Sequence, residues 1–359
     1  MDRSSGSLAR AALCSSALFV PLCAACQADS QPGASPDAGG ADLDAGCGAG
    51  CGAVDAGTID PIPEGCTSLA DAMAAGDSPT GMRRLYAGKA RLLAREGDWL
   101  YFVEGAALAR IPVRGGDLEI VRDVPGLQAY AVSGDTLTWL ETYEADFVQR
   151  TRAVTAPLMQ ADAQPVVVAA DVRADGDLVS NGSSAFWPLI QGGIMRASLS
   201  GSGELEALAP EVAVQDLVVA GEDLYVLDFN SDSLLHVAVG GGGSERLTDI
   251  FAGGEMAMDQ NTLYWADGSE GKVHSFELGS SRARLLGSGE WPVQMNASNG
   301  RAYWYAEAKG FCYHLYGTDA AGNNSRRLLS NIGDLGSSVA DASGLLVSGR
   351  DGIYHVDGP

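Results

Sequence analysis

Lysine is nearly absent: Lys89, Lys272 and Lys309 are the only three in 359 residues. With arginine they make 23 cations against 46 Asp and Glu, a formal net charge of -23. A polyphosphate is held by a concentrated basic face, so this composition argues against nucleic-acid binding. Long apolar runs are missing too. The one candidate, Ala11 to Leu22, is interrupted by Cys14, Ser15, Ser16 and Pro21 and is too short to cross a bilayer as a helix. Motifs with a fixed chemistry are also lacking, since no Gly-x-Ser-x-Gly elbow, phosphate-binding Gly-x4-Gly-Lys loop or His-Glu-x-x-His zinc pattern occurs. What remains is 46% hydrophobic and 19% charged with 47 glycines. Such a chain buries an ordinary core and turns often, and its length suits one large domain or two small ones.

Arg3 and Arg10 precede the apolar run, and the small residues Ala24 and Ala25 close it before Cys26, the layout of a secretion leader over residues 1–25. Cys23-Ala24-Ala25-Cys26 resembles the lipobox of bacterial lipoproteins, with Cys23 standing where that family usually has Leu. The resemblance implies that Cys26 is acylated and becomes the mature N-terminus, and that Gln27 after it directs the protein to the outer membrane. Cleavage after Ala25 without lipid is the alternative and leaves a periplasmic or secreted protein. Membrane contact is then through a lipid anchor alone.

Residues 26–79 read as a tether. From 27 to 65 they are almost wholly Ala, Gly, Asp, Pro and Ser, with no aromatic residue to seed a core. Those 39 residues reach about 35 Å as a flexible coil. Once the leader and the lipid take Cys14, Cys23 and Cys26, the cysteines left are Cys47, Cys51, Cys66 and Cys312, an even number that fits an oxidising compartment. Three pairings are open, and Cys47 with Cys51 and Cys66 with Cys312 is the favoured one. Cys47-Gly-Ala-Gly-Cys51 alone is half a zinc site, and no second half lies near it.

From Pro79 onward one pattern recurs: a Gly, Asp or Asn turn, an aromatic-rich strand, then further short strands. Its equivalent positions are Leu100, Leu137, Ala185, Leu224, Leu263, Ala302 and Leu345, spaced by 37, 48, 39, 39, 39 and 43 residues. That period suits four short strands per unit. A four-stranded sheet apolar on both faces is stable only when stacked on its neighbours, which predicts an all-β fold with residues 80–359 as a seven-bladed β-propeller. Six or eight blades are the alternatives. The last copy ends after three strands, and Met82 to Ala87 matches the fourth-strand pattern of Arg326-Arg327-Leu328-Leu329. The N-terminal strand is therefore expected to complete the last blade. Ala185 makes the third unit the weakest.

Leu263-Tyr264-Trp265-Ala266-Asp267, and less fully Leu224-Tyr225-Val226-Leu227-Asp228 and Ala302-Tyr303-Trp304, resemble the YWTD-type propeller repeats of lipoprotein receptors and their bacterial relatives. The resemblance implies the propeller fold and a structural role for Asp267 in blade packing. The typical family has six blades.

The four histidines, His236, His274, His314 and His355, are 38, 40 and 41 residues apart and are expected at one point of the third strand, where Arg110 and Arg196 stand in two other blades. Equivalent positions lie on different spokes of the wheel, so these side chains do not converge on a metal or form a nucleophile–base pair. Asp267-Gly268-Ser269-Glu270-Gly271 is too short for a helix-loop-helix calcium loop and reads as a hairpin turn. No cofactor or metal is expected.

One pattern bears on function. The connections entering the innermost strand carry acids in six of seven blades, Asp123, Asp175 with Asp177, Glu211, Glu255, Glu290 and Asp334, and in a propeller they surround one mouth of the channel. An acidic rim there attracts a cation or a basic peptide segment; a chain this acidic also carries acids on any loop. Tyr143, Phe147, Phe229 and Trp291 fall on the same side and offer contacts for a partner. The expectation is a non-catalytic, exported propeller that binds a protein or small ligand, a cationic one included. The alternative is a hydrolase or lyase working through the carboxylates at the channel mouth.

Overall fold

The turn ahead of each repeat strand sets the architecture. Three residues before the buried strand position, Gly97, Gly134, Gly182, Gly221, Gln260 and Asn299 have φ between 53° and 85°. This left-handed backbone is what tight hairpins need, and glycine and asparagine adopt it at little cost. The strands that follow alternate or bury fully, and each turn folds one strand back on the last.

The computed structural model describes residues 62–77, 80–160, 162–174, 176–201, 204–240, 243–250, 254–288, 291–308, 311–319 and 322–359. One short helix, α1 (Leu69–Ala75), precedes strand β1 (Met82–Ala87). Six blades follow in chain order. The first is β2 (Arg91–Glu96), β3 (Trp99–Glu104), β4 (Ala107–Pro112) and β5 (Glu119–Asp123), and the second β6 (Leu127–Ser133), β7 (Thr136–Ala145), β8 (Val148–Pro157) and β9 (Val166–Ala169). The third is β10 (Val179–Ser180), β11 (Ser184–Pro188), β12 (Ile194–Ser198) and β13 (Leu205–Leu208), and the fourth β14 (Val214–Ala220), β15 (Asp223–Asp228), β16 (Ser233–Ala238) and β17 (Ser244–Asp249). The fifth is β18 (Met256–Asp259), β19 (Thr262–Asp267), β20 (Lys272–Glu277) and β21 (Arg284–Ser288), and the sixth β22 (Pro292–Ser298), β23 (Arg301–Glu307), β24 (Tyr313–Gly317) and β25 (Arg326–Ile332). The seventh is β26 (Ser338–Ala340), β27 (Gly344–Gly349), β28 (Gly352–Asp357) and, as its outer strand, β1.

The wheel is thus seven-bladed and closed by its N-terminal strand, with Met82 opposite Val356 and Ala87 opposite Gly352. It has one blade more than typical YWTD-type propellers. Inner strands β2, β6, β10, β14, β18, β22 and β26 approach one another in that order, and β26 returns to β2, so they wall a central channel. The third blade, with Ala185, does have the shortest inner strand, the two residues of β10.

Packing explains why no blade stands alone. All seven repeat positions from Leu100 to Leu345 are at most 1% exposed, and two residues further on Trp139, Trp187, Trp265 and Trp304 are at most 2% exposed. Burying an aromatic side chain of this kind contributes about 1.5–3 kcal/mol. Seven apolar clusters form, one between each pair of neighbouring blades. The cluster across the closure joins Leu92, Leu100 and Phe102 of the first blade to Leu346 and Ile353 of the last.

Cys66 and Cys312 are bonded, as one of the favoured pairs requires. Cys312 lies in the β23–β24 hairpin, and Thr67 pairs in parallel with Ile332 at the end of β25. Ser68 caps α1 by accepting from Asp71 N at 3.0 Å, and Leu69 is buried against the cluster of the last two blades. The leader, Cys26, Cys47, Cys51, most of the tether, Asp175 and Glu290 lie outside the described residues.

Candidate functional site

Strand direction divides the loops between two sides. Connections from an outer strand to the next inner strand, and hairpins between the second and third strands, emerge together on one side, the loop face. The two-residue turns such as Gly97-Asp98 and Gly134-Asp135 lie on the other.

Four aromatic residues are exposed among the described residues: Phe147 (98%), Phe311 (65%), Phe229 (48%) and Trp291 (48%). All four are on the loop face. Phe147 is the tip of the long β7–β8 hairpin, Phe229 follows β15, Phe311 sits in the β23–β24 hairpin beside Cys312, and Trp291 enters β22. Ile190, 66% exposed after β11, joins them. Phe147, Phe311 and Trp291 have φ of 62°, 62° and 46°. A side chain in that left-handed region costs about 1–2 kcal/mol, so three of the four tips are held outward at a local cost. Phe311 was not among the aromatic residues singled out from the sequence. Its signal was an aromatic residue beside a paired cysteine.

The acids divide into three groups. Asp123 ends β5 in solvent, and Glu211 is exposed on the β13–β14 connection, accepting from Ser244 Oγ at 3.2 Å. Asp334 is committed to the helix, its Oδ1 accepting from Leu69 N at 2.8 Å. Asp177 and Glu255, at the entries to β10 and β18, are brought together at the channel with Asp216 of β14. Burial pushes the Asp177 carboxyl up against the pull of Arg91. Burial, then the Asp177 charge, pushes Glu255 up to about 8 despite a backbone bond at Met295. Asp216 is also raised by burial and by both neighbouring acids, although its oxygens accept from Leu217 N at 2.7 Å and Met256 N at 2.5 Å. Sequence reasoning missed Asp216, an acid inside strand β14. Tyr143, half-buried, donates to Asp171 Oδ1 at 3.2 Å and lies under the Arg152 guanidinium at 4.9 Å.

This arrangement favours the protonated forms of these carboxyls, because carboxyls crowded in a partly desolvated channel cannot all ionise. Among the described residues no group of three or more His, Cys, Asp or Glu could hold a metal ion. A cleft of about 410 Å³ lined by Asp223, Tyr225, His236, Arg246, Phe276 and Ser280 lies between the outer strands of the fourth and fifth blades, away from the channel.

The histidines correct one expectation. His236 and His355 do share a repeat position with Arg110 and Arg196, opposite Tyr225, Leu346, Tyr101 and Phe186. His274 pairs instead with Trp265, one residue out of step, and His314 with Ala306, three out of step. Hairpins of unequal length break the count along the chain. Each imidazole still has its own setting: His236 Nε2 meets Asp223 Oδ1 at 2.6 Å, and His274 stacks on Trp265 at 5.3 Å. His314 Nδ1 accepts from Asn331 N at 3.1 Å, and His355 Nε2 pairs with Ser343 Oγ at 2.9 Å. Asp267 and Asp228, in the strands that resemble YWTD repeats, cap their own hairpins. Asp267 Oδ1 accepts from Ser269 Oγ at 2.7 Å and Glu270 N at 3.0 Å, and Asp228 Oδ1 also takes Ala213 N at 2.9 Å from the entering loop. Residues 268–271 are the hairpin turn expected of them.

No family model matches the chain, and no curated protein does. Among solved structures it is similar to YCF48 from Cyanidioschyzon merolae, at 12% identity over 77% of this chain and 98% of that one, with a TM-score of 0.53. It is also similar to YCF48 bound to D1 peptide, at 12% identity over 77% and 96%, with a TM-score of 0.52. PorZ, a bacterial surface component of the type IX secretion system of Porphyromonas gingivalis, matches at 12% identity and a TM-score of 0.52, over 77% of this chain but 39% of that one. These likenesses are of fold, and the fold they share is the β-propeller.

Proposed function

We propose that this chain is a non-catalytic propeller, anchored to the cell envelope through Cys26 or secreted, that binds a protein or small ligand on its loop face. The observation that carries the reading is the placement of all four exposed aromatic residues of the described chain on that one face. Large apolar residues exposed on one face point to an interaction surface, and aromatics dominate the energy of such contacts. Export is supported by the leader pattern and by the Cys66–Cys312 bond, since disulfides persist in oxidising compartments. A propeller of the same fold was solved with a bound peptide, and another is a bacterial surface component. The competing reading, a hydrolase or lyase at the channel, draws support from the raised Asp177, Asp216 and Glu255 carboxyls. Among the described residues no hydrogen-bonded nucleophile and base pair lies beside them.

Two measurements test the proposal. Mass spectrometry of the mature protein is expected to find an acylated N-terminal Cys26, and a chain starting elsewhere removes the anchor. A triple Phe147→Asn, Trp291→Asn, Phe311→Asn variant keeps left-handed backbone, which Asn tolerates. It is expected to lose about tenfold or more of its affinity for an envelope ligand; unchanged binding rejects the loop face.

A further inference from the structure

We infer that the loop face docks an extended, lysine- or arginine-rich segment of a protein partner. The inference rests on the loop-face reading and names the chemistry of what sits there. Phe147, Phe229, Trp291 and Phe311 stand on the second, fourth and sixth blades, too dispersed for one small molecule and suited to a chain crossing the face. Their rings attract cations as well as apolar stems. Acids outnumber cations around them. Asp123, Asp177, Glu211, Asp232 and Glu270 lie on this side and outnumber its exposed Lys89 and Arg173, and Arg150 and Lys272 are paired, to Asp171 at 3.0 Å and to Glu270. An acidic face rimmed by aromatic tips complements a basic stretch and repels an acidic one.

The test measures fluorescence anisotropy of three labelled dodecapeptides with the full chain: alternating Lys and Leu, alternating Glu and Leu, and alternating Ser and Leu. The Lys peptide is expected to bind at least about tenfold tighter than either of the others, with affinity falling as salt rises. Phe147→Asn with Phe311→Asn, and separately Asp123→Asn with Glu211→Gln, are each expected to weaken it about tenfold. Asp98→Asn with Asp135→Asn removes two exposed acids from the opposite side and controls for bulk charge; it is expected to leave binding within about twofold. Equal binding of the three peptides overturns the inference, and so does equal weakening by the Asp98 and Asp135 control. If tip variants weaken the Ser and Leu peptide as much as the Lys one, the loop face binds without charge selection and only the inference fails. If no loop-face variant alters any binding, the functional reading falls with it.

Discussion

At the residue scale the chain spends stability on its channel acids and recovers some at the rim of the last blade. Glu255 has its carboxyl raised from 4.5 to about 8, so the folded chain holds that proton more tightly than the unfolded one. Its contribution to stability is full below pH 4.5 and is lost as pH rises through about 8. Glu255→Gln is therefore expected to match the parent in thermal unfolding at pH 4.5 and to exceed it at pH 8.5 by about 1–3 kcal/mol. Identical pH profiles for the two chains contradict this assignment. Asp341 runs the other way. Burial raises its carboxyl, but bonds from His355 and Ser343 and the Arg95 charge outweigh that and hold it well below the usual range. It ties the seventh blade to the first through Arg95 at 2.7 Å, and its stabilisation is present above the ordinary carboxylate range and lost in strong acid.

At the element scale, closure depends on a strand and a disulfide that both come from the N-terminal side. Tyr86 on β1 donates to Glu104 at 2.6 Å and packs on Phe102 at 4.8 Å, joining the last blade to the first. Cys66–Cys312 spans 246 residues and pins the chain that leads into β1. Replacing both cysteines by serine is expected to lower unfolding stability by about 2–5 kcal/mol. Hydrogen exchange should quicken first in β1 and β28, while β14 to β17 hold; uniform protection across all blades would show that the bond does not guard the closure. The strand repeat was legible because Leu100, Leu137 and their equivalents recur every 37 to 48 residues in one turn-and-strand pattern, which stacked four-stranded sheets explain. The register was not, since the β23–β24 hairpin lengthens the sixth blade and moves His314 off its expected place. Asp216 was hidden because a strand pattern alone does not say which face meets a channel.

At the scale of the whole molecule, the wheel has two unlike sides. The loop face collects the exposed aromatic tips and the channel acids, and Cys66 joins the wheel there beside Phe311. An anchor at Cys26 would root its tether on the binding side, so tether length and access to the partner would be linked. The opposite side offers tight Gly-Asp turns and no exposed aromatic residue among the described residues. A photo-crosslinking benzoylphenylalanine placed in turn at Phe147, Phe311, Asp98 and Asp135 in the native envelope separates the two sides most directly. One common protein partner trapped from Phe147 and Phe311, and none from Asp98 and Asp135, is the expected result. Equal trapping from both sides, or trapping from the Asp98 side alone, contradicts the account.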